Sequence, residues 1–237
     1  MASREPRYSL LFALPLLLLY EGFSVLLSAT EVSTVRNGAD VLLKTAFVLL
    51  GGQHGLTVFS VVLIGAGGWL VWRDRRSHPG ALAARVFGGM LVESLGWAAV
   101  LGTLVSILTS LLLRFPVNLS QSGATALSVP TQLVVSLGAG IYEELVFRVL
   151  LVSALVAVGR ALGWRRPVAV GAAVAASAIV FSAFHYVGPL GDVFTMPSFT
   201  FRAVAGVVLS GLYVVRGFGI TAWTHALYDV MLAFAVS

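Results

Sequence analysis

Residues 131–158 read TQLVVSLGAGIYEELVFRVLLVSALVAV. A run of this length crosses a bilayer, because a spanning helix needs about 20 predominantly apolar residues. Yet Glu143, Glu144 and Arg148 stand at its centre. A charge at mid-span costs about 2.5–3.5 kcal/mol even on insertion scales, so such residues face a protein interior or a water-filled cavity. The stretch therefore implies a helical membrane protein and also marks where its chemistry lies.

Outward from it, further apolar runs occur at 8–28, 55–72, 86–113, 168–187, 199–215 and 218–236. Together they predict an all-α, polytopic membrane helical bundle with about seven transmembrane helices. Composition agrees: of 237 residues 58% are hydrophobic and 11% charged, too little charge for a water-facing surface of this size. Once the spans are removed, little remains for a separate globular unit, so 1–237 reads as a single integral membrane domain. Val41 to Leu50 is too short to span and is closed by Gly51-Gly52, which reads as an interfacial or partly re-entrant segment. The first run follows Arg4 and Arg7 as a secretory signal would, but it is longer than a signal core and contains Glu21, so an uncleaved helix is expected. Segments 114–130 and 187–199 read as outer loops, and the sequon at Asn118 as a chance match.

The net charge is +5. With the N-terminus cytoplasmic, one side of the membrane receives Arg4, Arg7, Arg73, Arg75, Arg76, Arg85, Arg160, Arg165, Arg166 and Arg216. The other receives Arg36, Lys44, Arg114 and Arg202. This is the positive-inside pattern, so the basic balance is topological and no nucleic-acid partner is implied. A compact, Arg-rich and Lys-poor chain with short loops suits a prokaryotic cell membrane. Cysteine is absent, which removes disulfides, thiolate metal sites and cysteine nucleophiles.

Five of the ten acids, Glu21, Glu93, Glu143, Glu144 and Asp229, fall within spans. Glu21 and Glu93 stand alone in their helices, each as a partner for a buried donor or as the lining of a polar cavity. Glu144 and Arg148 are at i and i+4 and share a face, which leaves Glu143 for another partner. Phe181 precedes His185 by one turn, and His225 and Asp229 again share a face. His54 and His78 lie in loop-like sequence and read as ordinary surface residues. A buried carboxylate and an imidazole around one water can make a nucleophile aimed at a carbonyl, with a second histidine to stabilise the oxyanion. Glu143, His185 and His225 also match the ligand types of a catalytic zinc site, so residue types alone leave a metal-free and a zinc-dependent reading open. With straight helices these groups would lie at different depths, so convergence requires staggered, tilted or broken helices.

The three patterns resemble the CPBP intramembrane proteases, which include the type II CAAX prenyl endopeptidases and bacterial Abi proteins. The family's paired glutamates with a following arginine appear as Glu143, Glu144 and Arg148. Its phenylalanine four residues before a histidine appears as Phe181 and His185. Its third pattern appears as His225 and Asp229, where the CAAX enzymes more commonly have Asn in the last place. The resemblance covers about 131–237 as a catalytic core. It implies an intramembrane endopeptidase with Glu143 as general base and His185 holding the water. Glu144 and Arg148 would support that site, and His225 with Asp229 would bind the oxyanion, or Asp229 would orient the imidazole. The implied partners are the bilayer and a membrane protein or peptide substrate, lipidated or not, and the implied mechanism is metal-free. Two other classes compete: a non-catalytic immunity or scaffold protein of the same fold, and a proton-coupled transporter, which the lack of an inverted repeat disfavours.

Overall fold

Backbone amides in hydrocarbon find no water to bond, so each apolar run closes its own hydrogen bonds as helix. The computed structural model describes residues 2–28, 36–115, 128–188 and 191–236, and every regular element among them is helical. In chain order these are α1 (Pro6–Ser28), α2 (Gly38–Gly51), α3 (Gly55–Ser77), α4 (Ala84–Leu113), α5 (Val129–Gly138), α6 (Ser153–Ala161), α7 (Arg166–Phe184), α8 (Met196–Arg216) and α9 (Phe218–Val236). A π-helical segment, π1 (Ala139–Val152), joins α5 to α6 in one continuous rod. Short 3₁₀ turns lie at Ala2–Arg4 and Gly52–His54.

Five helical runs are long and apolar enough to cross a membrane: Pro6–Leu27, Gly38–Ser77, Ala84–Leu113, Arg166–Phe184 and Met196–Arg216. The rod and α9 account for the other two runs seen in the sequence, and the protein is an all-α integral membrane bundle. Its outward faces are apolar, with Leu18, Val25, Leu50, Ile64, Val92 and Leu111 all exposed, a surface suited to lipid rather than water.

Local signals set the ends of these helices. Asn37 caps α2 by accepting the Ala39 amide, and Thr195 caps α8 by accepting that of Ser198. Gly52, at φ +55°, closes α2 where the glycine pair predicts an end. The chain then reverses so tightly that a Cβ on Gly55 would lie 2.4 Å from the Phe47 carbonyl oxygen. The rings of Phe47 and Phe59 meet at 5.3 Å, so α2 folds back along α3 as a helical hairpin. The fifth run ends earlier than expected: α7 stops at Phe184 and a turn takes over at His185. The sequon at Asn118 and most of the 114–130 loop lie outside the described residues.

Helix α9 occupies the middle of the bundle, packed against α1, α4, α5, π1 and α8. Its Ile220 and Ala222 are fully buried, as are Leu16 and Tyr20 of α1. Helix α1 is thus built into the core, with Trp223 donating to the Phe12 carbonyl at 2.7 Å. The start of α1 and the ends of α3 and α8 are tied together, since Arg7 pairs with Asp74 and Ser3 donates to the Arg216 carbonyl. These are basic termini that the charge pattern assigns to one side.

Candidate active site

The paired glutamates lie on π1. π-Helix is rare and mostly confined to single-turn bulges near functional sites, whereas here it spans 14 residues. Glu143 is 6% exposed, and Glu144 and Arg148 are fully buried. The expected ion pair forms despite the altered helical register, with Arg148 Nε 3.2 Å from Glu144 Oε2.

The second oxygen of Glu144 reaches across to α9, where Oε1 lies 2.7 Å from His225 Nδ1. The Nε2 of that ring faces Asp229 Oδ2 at 3.5 Å. Both ring nitrogens therefore look onto carboxylate oxygens. An ionised carboxylate only accepts, so the consistent arrangement is an imidazolium that donates from Nδ1 to Glu144 and turns its second N–H towards Asp229 without bonding it closely.

Phe181 sits between these groups. The Arg148 guanidinium lies 4.3 Å above its ring, and its edge contacts place His185 at 4.9 Å and His225 at 6.1 Å between centroids. The terminal guanidinium nitrogens have no hydrogen-bond partner among the described residues, and the π face serves in their place. As α7 ends, the His185 amide turns to the Ser182 carbonyl. The Phe181 carbonyl, left open at this helix end, pairs with His185 Nδ1 at 2.8 Å. A carbonyl only accepts, so Nδ1 carries the proton and Nε2 presents a lone pair.

Glu143 has a partner that the sequence did not indicate. Its Oε1 accepts from Asn37 Nδ2 at 2.8 Å, whereas Oε2 has no hydrogen-bond partner among the described residues. Both histidines lie within Coulombic reach of it.

Convergence comes from unequal helix lengths. The rod from α5 to α6 is much longer than α7, and His185 lies about as far after the turn at 162–165 as Glu144 lies before it. The end of α7 therefore falls at mid-rod, where Ser177 bonds the Phe147 carbonyl. Close approach of α9 depends on Gly140: a Cβ there would stand 2.5 Å from the Ala222 carbonyl oxygen and 2.6 Å from Ala226 Cβ. All six residues expected from the sequence are thus brought into one cluster.

Residues 125–231 match the family model described as type II CAAX prenyl endopeptidase Rce1-like. Over this stretch, a little under half of its length, the chain is similar to that family. The similarity is to a family of endopeptidases. No curated protein and no solved structure matches the chain.

Every residue of the three Rce1-like patterns lies inside the matched stretch, and Asn37 lies far outside it. Asn37 belongs to a second polar network that the sequence hinted at only through Glu21. Asp40 is fully buried and pairs with Arg36 at 3.0 Å, Lys44 at 2.8 Å and the Tyr20 hydroxyl at 2.8 Å. Glu21 accepts from Tyr142 at 2.6 Å and also meets Arg36 and Lys44. Glu21 therefore does not stand alone, and neither does Glu93, which pairs with Arg216 on α8. Asp40 and Asn37 sit in a segment that reads as loop and interface. The one signal for them is Asn-Gly directly before an apolar run, which marks a helix N-cap.

Among the described residues no group of three His, Cys, Asp or Glu is disposed to hold a metal ion. His54 and His78 are exposed, in keeping with their reading as surface residues.

Proposed function

We propose that this protein is an intramembrane endopeptidase that hydrolyses a peptide bond of a membrane-associated protein or peptide. The observation that carries this is the asymmetry of Glu143, a buried carboxylate with one oxygen held by an amide and the other left to take a proton. In this reading a water sits between Glu143 Oε2 and His185 Nε2. Its oxygen attacks the scissile carbonyl carbon while its proton passes to Glu143. The carbonyl becomes a tetrahedral oxyanion facing the His225 imidazolium, whose long contact to Asp229 leaves an N–H able to turn towards it. Collapse breaks the C–N bond, and the proton held on Glu143 goes to the leaving amine. Glu144 and Arg148 bind no substrate in this scheme; they fix the position and charge of His225.

This reading keeps water activation with the carboxylate and uses no metal or other cofactor. The charge asymmetry supports a cytoplasmic N-terminus, and the composition supports a prokaryotic cell membrane. The family description supports a substrate with a C-terminal CAAX-like or lipidated tail, and a bacteriocin precursor or a peptide pheromone also fits the site.

The test compares membrane fractions from cells producing the intact protein with those producing Glu143→Gln, and searches for peptide termini unique to the former. A new terminus that depends on Glu143 is the expected result. Identical termini in both, with equal protein levels, would remove the assignment and favour a binding or immunity role.

A further inference from the structure

We propose that Asn37, at the N-terminus of α2, is a positioning residue for the base Glu143, so that the N-terminal α1–α2 unit completes the catalytic site. The inference rests on the endopeptidase reading and extends it beyond the Rce1-like half of the chain.

The amide of Asn37 has only one orientation compatible with its neighbours. Its Oδ1 accepts the Ala39 amide at 2.9 Å as the helix cap, so its NH₂ must point the other way. There it meets Glu143 Oε1 at 2.8 Å. The residue is 3% exposed, so water does not compete for the carboxylate. With Oε1 fixed in this way the plane of the carboxylate is fixed too, and Oε2 becomes the oxygen available for the proton of water.

The cap is itself held in place. The backbone N–H of Asn37 donates to the Tyr20 hydroxyl at 3.3 Å, and that hydroxyl donates to Asp40, which Arg36 and Lys44 neutralise. Tyr142, the residue immediately before Glu143, donates to Glu21, which pairs with the same two cations. The fit of the backbone is equally close. A Cβ on Gly138 would stand 2.7 Å from Asn37 Cβ and 2.6 Å from Tyr20 Cε2. A carboxylate aimed by one donor on a rigid, second-element support is the arrangement that preorganised sites need. Among the described residues no hydrogen bond or ion pair joins this network to His225, so its effect should fall on the base.

Two variants separate positioning from folding. Asn37→Ser keeps a capping oxygen but cannot reach Glu143, while Asn37→Asp keeps the shape and the cap and replaces the donor by a second acceptor. The probe is a synthetic peptide spanning the terminus found in the membrane-fraction comparison, cleaved by purified protein in lipid nanodiscs. For Asn37→Ser the expected result is a fall in kcat of about 100-fold, with KM within about twofold of the parent, because the donor acts on the base and not on substrate binding. For Asn37→Asp the expected result is a lowered unfolding midpoint, restored by adding Glu143→Gln, whose amide can donate back across the same contact. The doubly substituted protein stays inactive.

Parent-like kcat in Asn37→Ser overturns the proposal, as does an Asn37→Asp defect that Glu143→Gln leaves unrepaired. A fall confined to KM, or one that tracks loss of folded protein, also overturns it, since either assigns Asn37 a merely structural role. Retained cleavage by Glu143→Gln alone is a different outcome: it removes the endopeptidase reading, and this inference with it.

Discussion

Glu144 and His225, on different helices, meet at 2.7 Å, and the other oxygen of the same carboxylate holds Arg148 at 3.2 Å. One buried acid thus answers two basic groups, with no exposure of Glu144 or Arg148 to help solvate them. Removing one partner of such a pair leaves an uncompensated buried charge, at a cost of about 3–5 kcal/mol. Glu144→Gln and Arg148→Met should each lower the thermal unfolding midpoint in detergent strongly. Combining them should cost clearly less than the sum, because neither charge is then stranded. Strictly additive losses would contradict the coupling.

The close packing of π1 on α9 gives a steric prediction. Alanine at Gly140 would press on the Ala222 carbonyl, a backbone atom that cannot rotate away, and overpacking of this kind costs about 1–3 kcal/mol. It should also part Glu144 from His225 and slow cleavage. Gly211 of α8 has open space around its Cβ position, so Gly211→Ala should be neutral or slightly stabilising through better helix propensity. Paired unfolding and cleavage measurements on the two variants check both statements.

Glu93 and Arg216 test whether a charge pair within the bundle must serve the site. The pair links α4 to α8 and is partly exposed, unlike the Glu144 cluster. Arg216 also engages other groups, so the cleaner variant is Glu93→Gln. It should cost about 1 kcal/mol or less, in line with accessible ion pairs, and leave kcat unchanged. A large loss of kcat at parent stability would show that this end of the bundle communicates with Glu143.

The sequence disclosed the bundle and the six clustered residues for one reason: charges are scarce in this chain, and each motif lies within a single helix, where spacing reports the face. Asn37 was not legible because its meaning depends on Glu143, which is remote in sequence. Asp40 was hidden similarly, since α2 reads as an interfacial piece until its N-terminus is seen packed against Tyr20. The π register of Ala139–Val152 could not be read either. Its three charges, Glu143, Glu144 and Arg148, span little more than one turn, too short a stretch for their period to distinguish one helical pitch from another. The depth at which His185 enters the bundle depends on α7 stopping short at Phe184, and apolar residues such as Val187 gave no sign of that end.

Phe181 offers the last prediction, because its ring contacts three of the charged or polar groups and supplies no hydrogen bond to any of them. Arg148 lies over its face, and His185 and His225 meet it edge to face. Phe181→Leu keeps the residue apolar and helical while removing the π surface. A desolvated cation over an aromatic face is worth about 2 kcal/mol, so the variant should lose roughly that beyond the loss from packing. Cleavage should fall as well, since both imidazoles lose the wall that sets their tilt. The cation's share can be isolated by repeating Phe181→Leu in an Arg148→Met background. There the extra loss should vanish, leaving only the packing cost, as followed by thermal unfolding of the four proteins. An equal penalty in both backgrounds would show that the ring serves packing alone, and that Arg148 is held by Glu144 without it.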